Sequence, residues 1–228
     1  MRERFERNQM STQPQYKDRT DAGQQLAERL DAYRDRKDVL VLGLPRGGVP
    51  VAYEVAKALN VPLDVYLVRK LGAPGQEELA MGAIATGGVM LLNHDVIREL
   101  GITDEMTRAI SMREWQELAR REGLYRGARP LPEVAGKTVI LVDDGLATGF
   151  TMRAAIAALK KQGPAHIVVA VPVAAAQTVG ELAAEVDEVV CLYTPNLFYA
   201  VGLWYGDFRP VTDEQVHALL HTEGAVDA

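Results

Sequence analysis

The chain has 228 residues, 48% of them hydrophobic and 25% charged, an ordinary globular balance that is enough for one buried core and one domain. Its formal net charge is -6, so no global positive field draws it onto nucleic acid or an anionic membrane, and any phosphate site has to be built locally. The single cysteine, Cys191, excludes an internal disulfide and reads as a buried structural thiol in the run Val189-Val190-Cys191-Leu192, which fits a reducing cytoplasm. The N-terminal stretch is charged and then polar without an apolar h-region, and no apolar run is long enough to span a bilayer, so neither secretion nor membrane insertion is expected.

Residues 1–20 read as a loosely ordered lead-in, residues 21–220 as the domain and residues 221–228 as a frayed tail. In chain order, the first regular element is a helix from Asp21 to Tyr33, where Leu26, Ala27 and Leu30 fall at helical spacing. Short continuous apolar runs follow at Val39 to Leu42, Val65 to Val68, Val139 to Val142, Ile167 to Val171 and Val189 to Leu192, the pattern of strands buried on both faces. Helical patterns lie between them, with Val51, Val55 and Leu59 on one face and Ile156 and Leu159 on another. Such alternation predicts a parallel α/β sheet.

The alternation breaks over residues 89–136. A short strand, Val89 to Leu92, leads there to a charged helix from about Thr103 to Arg121, with Glu117 at ion-pair spacing from Arg120 and Arg121. Met106, Ile110, Trp115 and Leu118 form an imperfect stripe, so a peripheral helical arm is expected. Residues 194–210 are aromatic-rich and irregular, and a last helix is expected from Thr212 to Leu220.

The chemistry concentrates in VILVDDGLATGFTM, Val139 to Met152, which joins a buried strand to a helix through a turn holding two acids, two glycines and two threonines. In open α/β sheets ligands sit at the carboxyl ends of strands, where the next helix offers unpaired N–H groups and the positive end of its dipole to a phosphate. Gly145 and Gly149 would let backbone approach a ligand, and Thr148 and Thr151 add hydroxyl donors. Asp143 and Asp144 are acceptors suited to vicinal sugar hydroxyls or to a magnesium shell. Phosphate and diol recognition side by side point to a ribose 5-phosphate. A plain strand-to-helix turn does not need all these residues at once.

This stretch resembles the signature of the type I phosphoribosyltransferases, an apolar strand, two acids and a loop of the form ATG-x-T, here DDGLATGFT. The likeness runs from about Asp21 to Leu220 and is nearest to a subgroup of bacterial phosphoribosyltransferases of unsettled substrate. It implies an α/β fold with a doubly wound, mainly parallel five-stranded sheet, a small hood over 194–210 and the arm over 89–136. It further implies that Asp143 and Asp144 hold the ribose hydroxyls of phosphoribosyl pyrophosphate, with Mg2+ held directly or through water. Gly145, Ala147, Thr148, Gly149 and Thr151 would then cradle the 5-phosphate.

In the family the turn after the first strand contacts pyrophosphate. Here that turn is LGLPRGGVP, Leu42 to Pro50, with Arg46 as the cation and Gly47 and Gly48 offering N–H groups. Without the resemblance, the turn reads equally as a tight reversal with a solvated arginine. After Val65 to Val68 comes RKLGAPGQEELAMGAIA, where Arg69 and Lys70 occupy a strand end at which the family often places a basic residue. Gly72 to Glu78 has the composition of a mobile loop able to close over the reactants. A solvated lysine is the other reading of Lys70. Ala147 is a departure from transferases of 6-oxopurines, which usually carry an acid there, whereas enzymes for adenine and uracil commonly carry alanine. A nucleobase other than a 6-oxopurine is therefore the expected acceptor.

In NLFYAVGLWYGDF, Phe198, Tyr199, Trp204, Tyr205 and Phe208 would stack on a base and Asp207 would accept from it, although such segments also serve as core or dimer contact. His217 and His221 share a helix face at metal-ligand spacing with no third ligand evident, so they read as a solvated pair. Arg120, Arg121, Arg126 and Arg129 read as a solvated basic cluster balanced by Glu114, Glu117 and Glu122. The resemblance implies an enzyme, a pentosyltransferase in which a nitrogen nucleophile displaces pyrophosphate at the anomeric carbon while Arg46, Lys70 and Mg2+ neutralise the leaving group. Its partners would be phosphoribosyl pyrophosphate and a small-molecule acceptor, with no nucleic acid, no membrane and a homodimer as the family commonly forms. The rival reading is a non-catalytic sensor of phosphoribosyl pyrophosphate. The sequence leaves the acceptor open.

Overall fold

The structure, a computed structural model, describes residues 14–222. The earlier part of the expected lead-in and most of the expected tail lie outside the described residues. The chain opens with α1 (Arg19–Arg29) and a 3-10 turn (Asp31–Tyr33), then runs through β1 (Val39–Gly43), α2 (Gly48–Leu59) and β2 (Leu63–Val65). Three strands follow, β3 (Val68–Ala73), β4 (Gln76–Ala85) and β5 (Val89–Leu92), and then two helices, α3 (His94–Glu99) and α4 (Asp104–Arg126). The second half comprises β6 (Thr138–Val142), α5 (Phe150–Gln162), β7 (His166–Val173), α6 (Ala176–Leu182) and β8 (Glu188–Tyr193). A 3-10 turn (Val201–Trp204) and α7 (Asp213–Leu220) end it.

Five strands form one sheet in the order β2-β1-β6-β7-β8, parallel throughout, and β3-β4-β5 form a separate antiparallel sheet. Period-two alternation shows why the parallel sheet needs cover on both sides. Val39, Val41, Ile140 and Val142 face a core completed by Leu26 and Leu30 of the α1 region and by Val51, Val55 and Leu59 of α2. Their neighbours Leu40, Leu42, Val139 and Leu141 face the opposite core with Ile156 and Leu159 of α5. Every residue of β1 and β6 is buried, so both strands read as unbroken apolar runs. No helix among the described residues is long and apolar enough to cross a membrane.

The structure departs from the sequence reading at several places. The run Val65 to Val68 is not one strand: Val65 closes β2, Tyr66 and Leu67 turn, and Val68 opens β3 in the other sheet. The run looks continuous because Tyr66 and Leu67 are themselves buried. The expected mobile loop from Gly72 to Glu78 is the tip of a hairpin, in which Ala73 pairs with Gln76 across Pro74 and Gly75. Proline presets φ for such a turn and Gly75 takes φ 74°, which a side chain would resist. Residues of β8 are only partly buried, including Cys191, because β8 is an edge strand. Burial still pushes the Cys191 thiol up to about 11.

The arm is less peripheral than its imperfect stripe suggests. Leu118 and Tyr125 of α4 join the main core, and Arg126 is 2% exposed, its Nε 3.0 Å from both carboxylate oxygens of Asp64 and its Nη2 donating to the Val65 carbonyl at 2.5 Å. Arg126 is thus a buried tie to β2 and not part of a solvated cluster, whereas Arg120 and Arg121 do pair with Glu117 as their spacing predicts. The described end of the expected lead-in is packed against the domain. Tyr16 is 1% exposed, bridges to Tyr205 in parallel and donates from its hydroxyl to the Pro172 carbonyl at 2.7 Å.

Candidate active site

Strands β1 and β6 are neighbours with Gly43 opposite Val142, so the turns that follow them leave the same edge of the sheet. The turn after β1 packs directly on the acids after β6. Leu44 N–H donates to the Val142 carbonyl at 2.9 Å. A Cβ at Gly48 would stand 2.7 Å from that carbonyl oxygen, and one at Gly47 only 2.0 Å from Asp144 Oδ2, so both positions require glycine for close approach. The peptide between Pro45 and Arg46 is cis. Among the described residues the N–H groups of Arg46 and Gly47 find no acceptor, but Gly48 N–H is taken by the Leu44 carbonyl at 3.0 Å. Of the two glycines expected to offer a donor, one does.

The loop after the acids ends at Gly149, whose φ of 69° turns the chain into α5. Its carbonyls are fixed from outside: Thr178 Oγ1 donates to the Ala147 carbonyl at 2.6 Å and Arg153 Nη1 to the Thr148 carbonyl at 2.7 Å. The N–H groups of Ala147, Thr148, Gly149, Phe150 and Thr151 find no acceptor among the described residues. Together with Asp143, Leu146 and Met152, these residues line a cavity of about 150 Å³. Gly145 is packed, since a Cβ there would meet Val201 Cγ1 at 2.6 Å.

Burial, and then the charge of Asp144, holds the Asp143 carboxyl well above the usual carboxylate range. Burial also raises Asp144, against the pull of Arg19, whose Nε lies 2.8 Å from Asp144 Oδ2. Asp144 N–H donates to Asp143 Oδ1 at 2.8 Å, and Tyr205 Oη donates to the Asp144 carbonyl at 2.5 Å. Two oxygens, Asp143 Oδ2 and Asp144 Oδ1, are left without a hydrogen bond among the described residues.

The other candidate residues are more scattered. Arg46 is half-exposed with Nη1 3.9 Å from Asp213 Oδ1. Lys70 sits on β3 and turns to Glu78 Oε2 at 3.0 Å, in a separate cleft shared with Arg69, Glu77, Arg113 and Glu114. Trp204 packs edge-on against Tyr193, and Tyr205 is 5% exposed between Tyr16 and Phe208. Asp207 is bound by Arg209, which holds its carboxyl down at about 2. Tyr199 keeps an open ring. These four residues therefore do not form one stacking platform. His217 and His221 stack on each other, with His221 Nδ1 2.8 Å from the His217 carbonyl, and no group of three or more His, Cys, Asp or Glu is gathered for a metal among the described residues. Arg19 is the residue that the sequence did not reveal, because its partner lies 125 positions away and no spacing connects them.

For a sheet of this order with an acid pair and a run of unpaired amides at its carboxyl edge, comparison with known proteins gives the class. The family model described as "Phosphoribosyl transferase domain" matches residues 13–82 and 75–199. The chain belongs to that family. Two Mycobacterium tuberculosis proteins, from strains H37Rv and CDC 1551 and each carrying the name "putative phosphoribosyl transferase", are 47% identical over 220 residues. The match covers 93% of this chain and 49% of theirs, so the chain spans about half the length of these relatives. The crystal structure of TT1426 from Thermus thermophilus is similar with a TM-score of 0.79 and 45% identity, covering 90% of this chain and 97% of that one.

Proposed function

We propose that the chain transfers the 5-phosphoribosyl group from phosphoribosyl pyrophosphate to a nitrogenous acceptor, releasing pyrophosphate. The observation that carries this reading is the run of unpaired amides from Ala147 to Thr151 beside two carboxylates with one free oxygen each. The amides and the Thr148 and Thr151 hydroxyls suit a terminal phosphate at the start of α5. Asp143 and Asp144 suit the two vicinal hydroxyls of a ribose. The N–H groups of Arg46 and Gly47, with the Arg46 guanidinium, suit the diphosphate.

The acceptor nitrogen attacks the anomeric carbon as that carbon's bond to the diphosphate oxygen breaks, the electron pair leaves with pyrophosphate, and the nitrogen's proton passes to solvent or to the departing pyrophosphate. The chain contributes fixed ribose geometry and positive charge at the leaving group, and no protein nucleophile is needed. Asp143 and Asp144 are hard oxygen donors that fit Mg2+, directly or through water, and bound Mg2+ would supply charge neutralisation at the diphosphate. Lys70 joins Arg46 there once it leaves Glu78. Position 147 carries no acid to handle a proton of the base, which favours an acceptor other than a 6-oxopurine. Tyr199, whose ring is open, is the proposed contact for the base, while Trp204, Tyr205 and Asp207 are engaged by Tyr193, the Asp144 carbonyl and Arg209. Incubation with donor, Mg2+ and a panel of nucleobases and amines, followed by pyrophosphate release, tests the reading. Release with one acceptor supports it and names the acceptor. Tight donor binding with no release from any acceptor would replace it with a sensor.

A further inference from the structure

We propose that Arg19 is a positioning residue of the donor site, clamping Asp144 through one carboxylate oxygen so that the other faces the ribose. The inference rests on the donor-site reading given above. Arg19 is the first residue of α1, and a cation at a helix N-terminus faces the positive end of the helix dipole. Something nearby has to offset that placement, and Asp144 does. The ion pair is largely buried, with the two side chains 11% and 14% exposed.

The guanidinium is held at two of its nitrogens and against an aromatic ring. Nε donates to Asp144 Oδ2 at 2.8 Å, Nη1 donates to the Arg209 carbonyl at 3.0 Å, and the guanidinium carbon lies 3.9 Å from the centroid of the Phe208 ring. Tyr205 approaches the same group at 5.9 Å and holds the Asp144 backbone through its hydroxyl. The aromatic segment expected to stack on a base thus builds a cage for Arg19. Planar guanidinium groups suit such a stacked, directional contact, and lysine does not.

The consequence lies in which oxygens remain. Asp144 Oδ2 is taken by Arg19, and Asp143 Oδ1 is taken by the Asp144 amide. Each acid keeps one oxygen, which matches the two hydroxyls of a cis diol. If Arg19 were lost, the Asp144 side chain could rotate, and the pair would present no fixed spacing to the sugar.

Calorimetry on the full chain tests this with two probes, phosphoribosyl pyrophosphate and inorganic pyrophosphate, each with Mg2+. Arg19→Met should weaken the ribose-bearing probe about tenfold or more while leaving pyrophosphate within about twofold, a split that general destabilisation does not produce. Arg19→Lys should recover part of the loss, and Phe208→Leu should give the same split at smaller size. If Arg19→Met does not fold, the lysine and Phe208 variants, with unchanged circular dichroism, carry the same split. Wild-type affinity in Arg19→Met, or equal loss of both probes in the folded variants, overturns the proposal while the donor-site reading stands. A wild-type chain with no affinity for phosphoribosyl pyrophosphate overturns both.

Discussion

The carboxyl edge of the parallel sheet and the cleft between β3, β4 and α4 are the two regions to which the proposal assigns the diphosphate donor, yet they are built in opposite ways. At the edge, amides and carboxylate oxygens are held in place and left unpaired: the carbonyls of Ala147 and Thr148 are tied back, and the adjoining amides are not. In the cleft, each cation already has an acid. Lys70 pairs with Glu78, and Arg69 pairs with Glu114 at 2.5 Å. Preorganised donors cost nothing to rearrange when a ligand arrives, whereas paired cations have to exchange one anion for another. On the proposed reading, the first region would meet a ligand as it stands, and the second would contribute only when its internal pairs open.

Substitutions in each region test this contrast. The largest effect is expected from Asp143→Asn with Asp144→Asn, which should weaken Mg2+-dependent donor binding by calorimetry at least about a thousandfold. Full affinity in that double variant would remove the edge as the donor site. Away from both regions, where α4 is tied to β2, Arg126→Met leaves Asp64 buried without its counter-ion and should lower unfolding free energy by about 3 kcal/mol in urea titration, since a broken buried pair costs more than an absent one. A loss under about 1 kcal/mol would mean that Arg126 is not the tie between α4 and β2.

Gly47→Ala places a methyl group against Asp144 Oδ2 and should cost about 2 kcal/mol of donor binding with a smaller loss of stability. Equal donor affinity would show that the two turns move independently. A pH effect follows from the raised Asp143 carboxyl. Between the ordinary carboxylate range and its raised value, the folded protein binds more protons than the unfolded chain, so stability rises as pH falls through the raised value and stops rising near about 4. Asp143→Asn should remove that slope and raise the midpoint at neutral pH by on the order of 3 °C in thermal melts. A lowered midpoint would contradict the burial cost assigned to the charge. The smallest effect is expected from Glu78→Gln, which releases Lys70 and should strengthen pyrophosphate binding by less than about fivefold, the pair being exposed. Weaker binding would indicate that Glu78 itself helps the site.

Much of the edge was legible beforehand. Val139 to Thr151 is a strand, a turn and a helix start within a few residues, and glycine, aspartate and threonine each have a local reason to be there. The cleft was not legible. The apolar run Val65 to Val68 reads as one strand because burial, not pairing, sets its composition, and Pro74-Gly75 reads as a loop until Ala73 and Gln76 are seen to pair. The aromatic segment had the composition of a binding surface, but Tyr205 and Phe208 face Arg19.

Local sequence was enough to set the alternation of strands and helices, the acid pair and the glycine-and-threonine turn into α5, because each depends on neighbours within a turn or a strand. Long-range packing alone settled that β1 lies beside β6, that Gly47 touches Asp144, and that Arg19 reaches Asp144 from α1. Those contacts join residues far apart in the chain, and no periodicity of a single segment records which distant side chain will be brought against it.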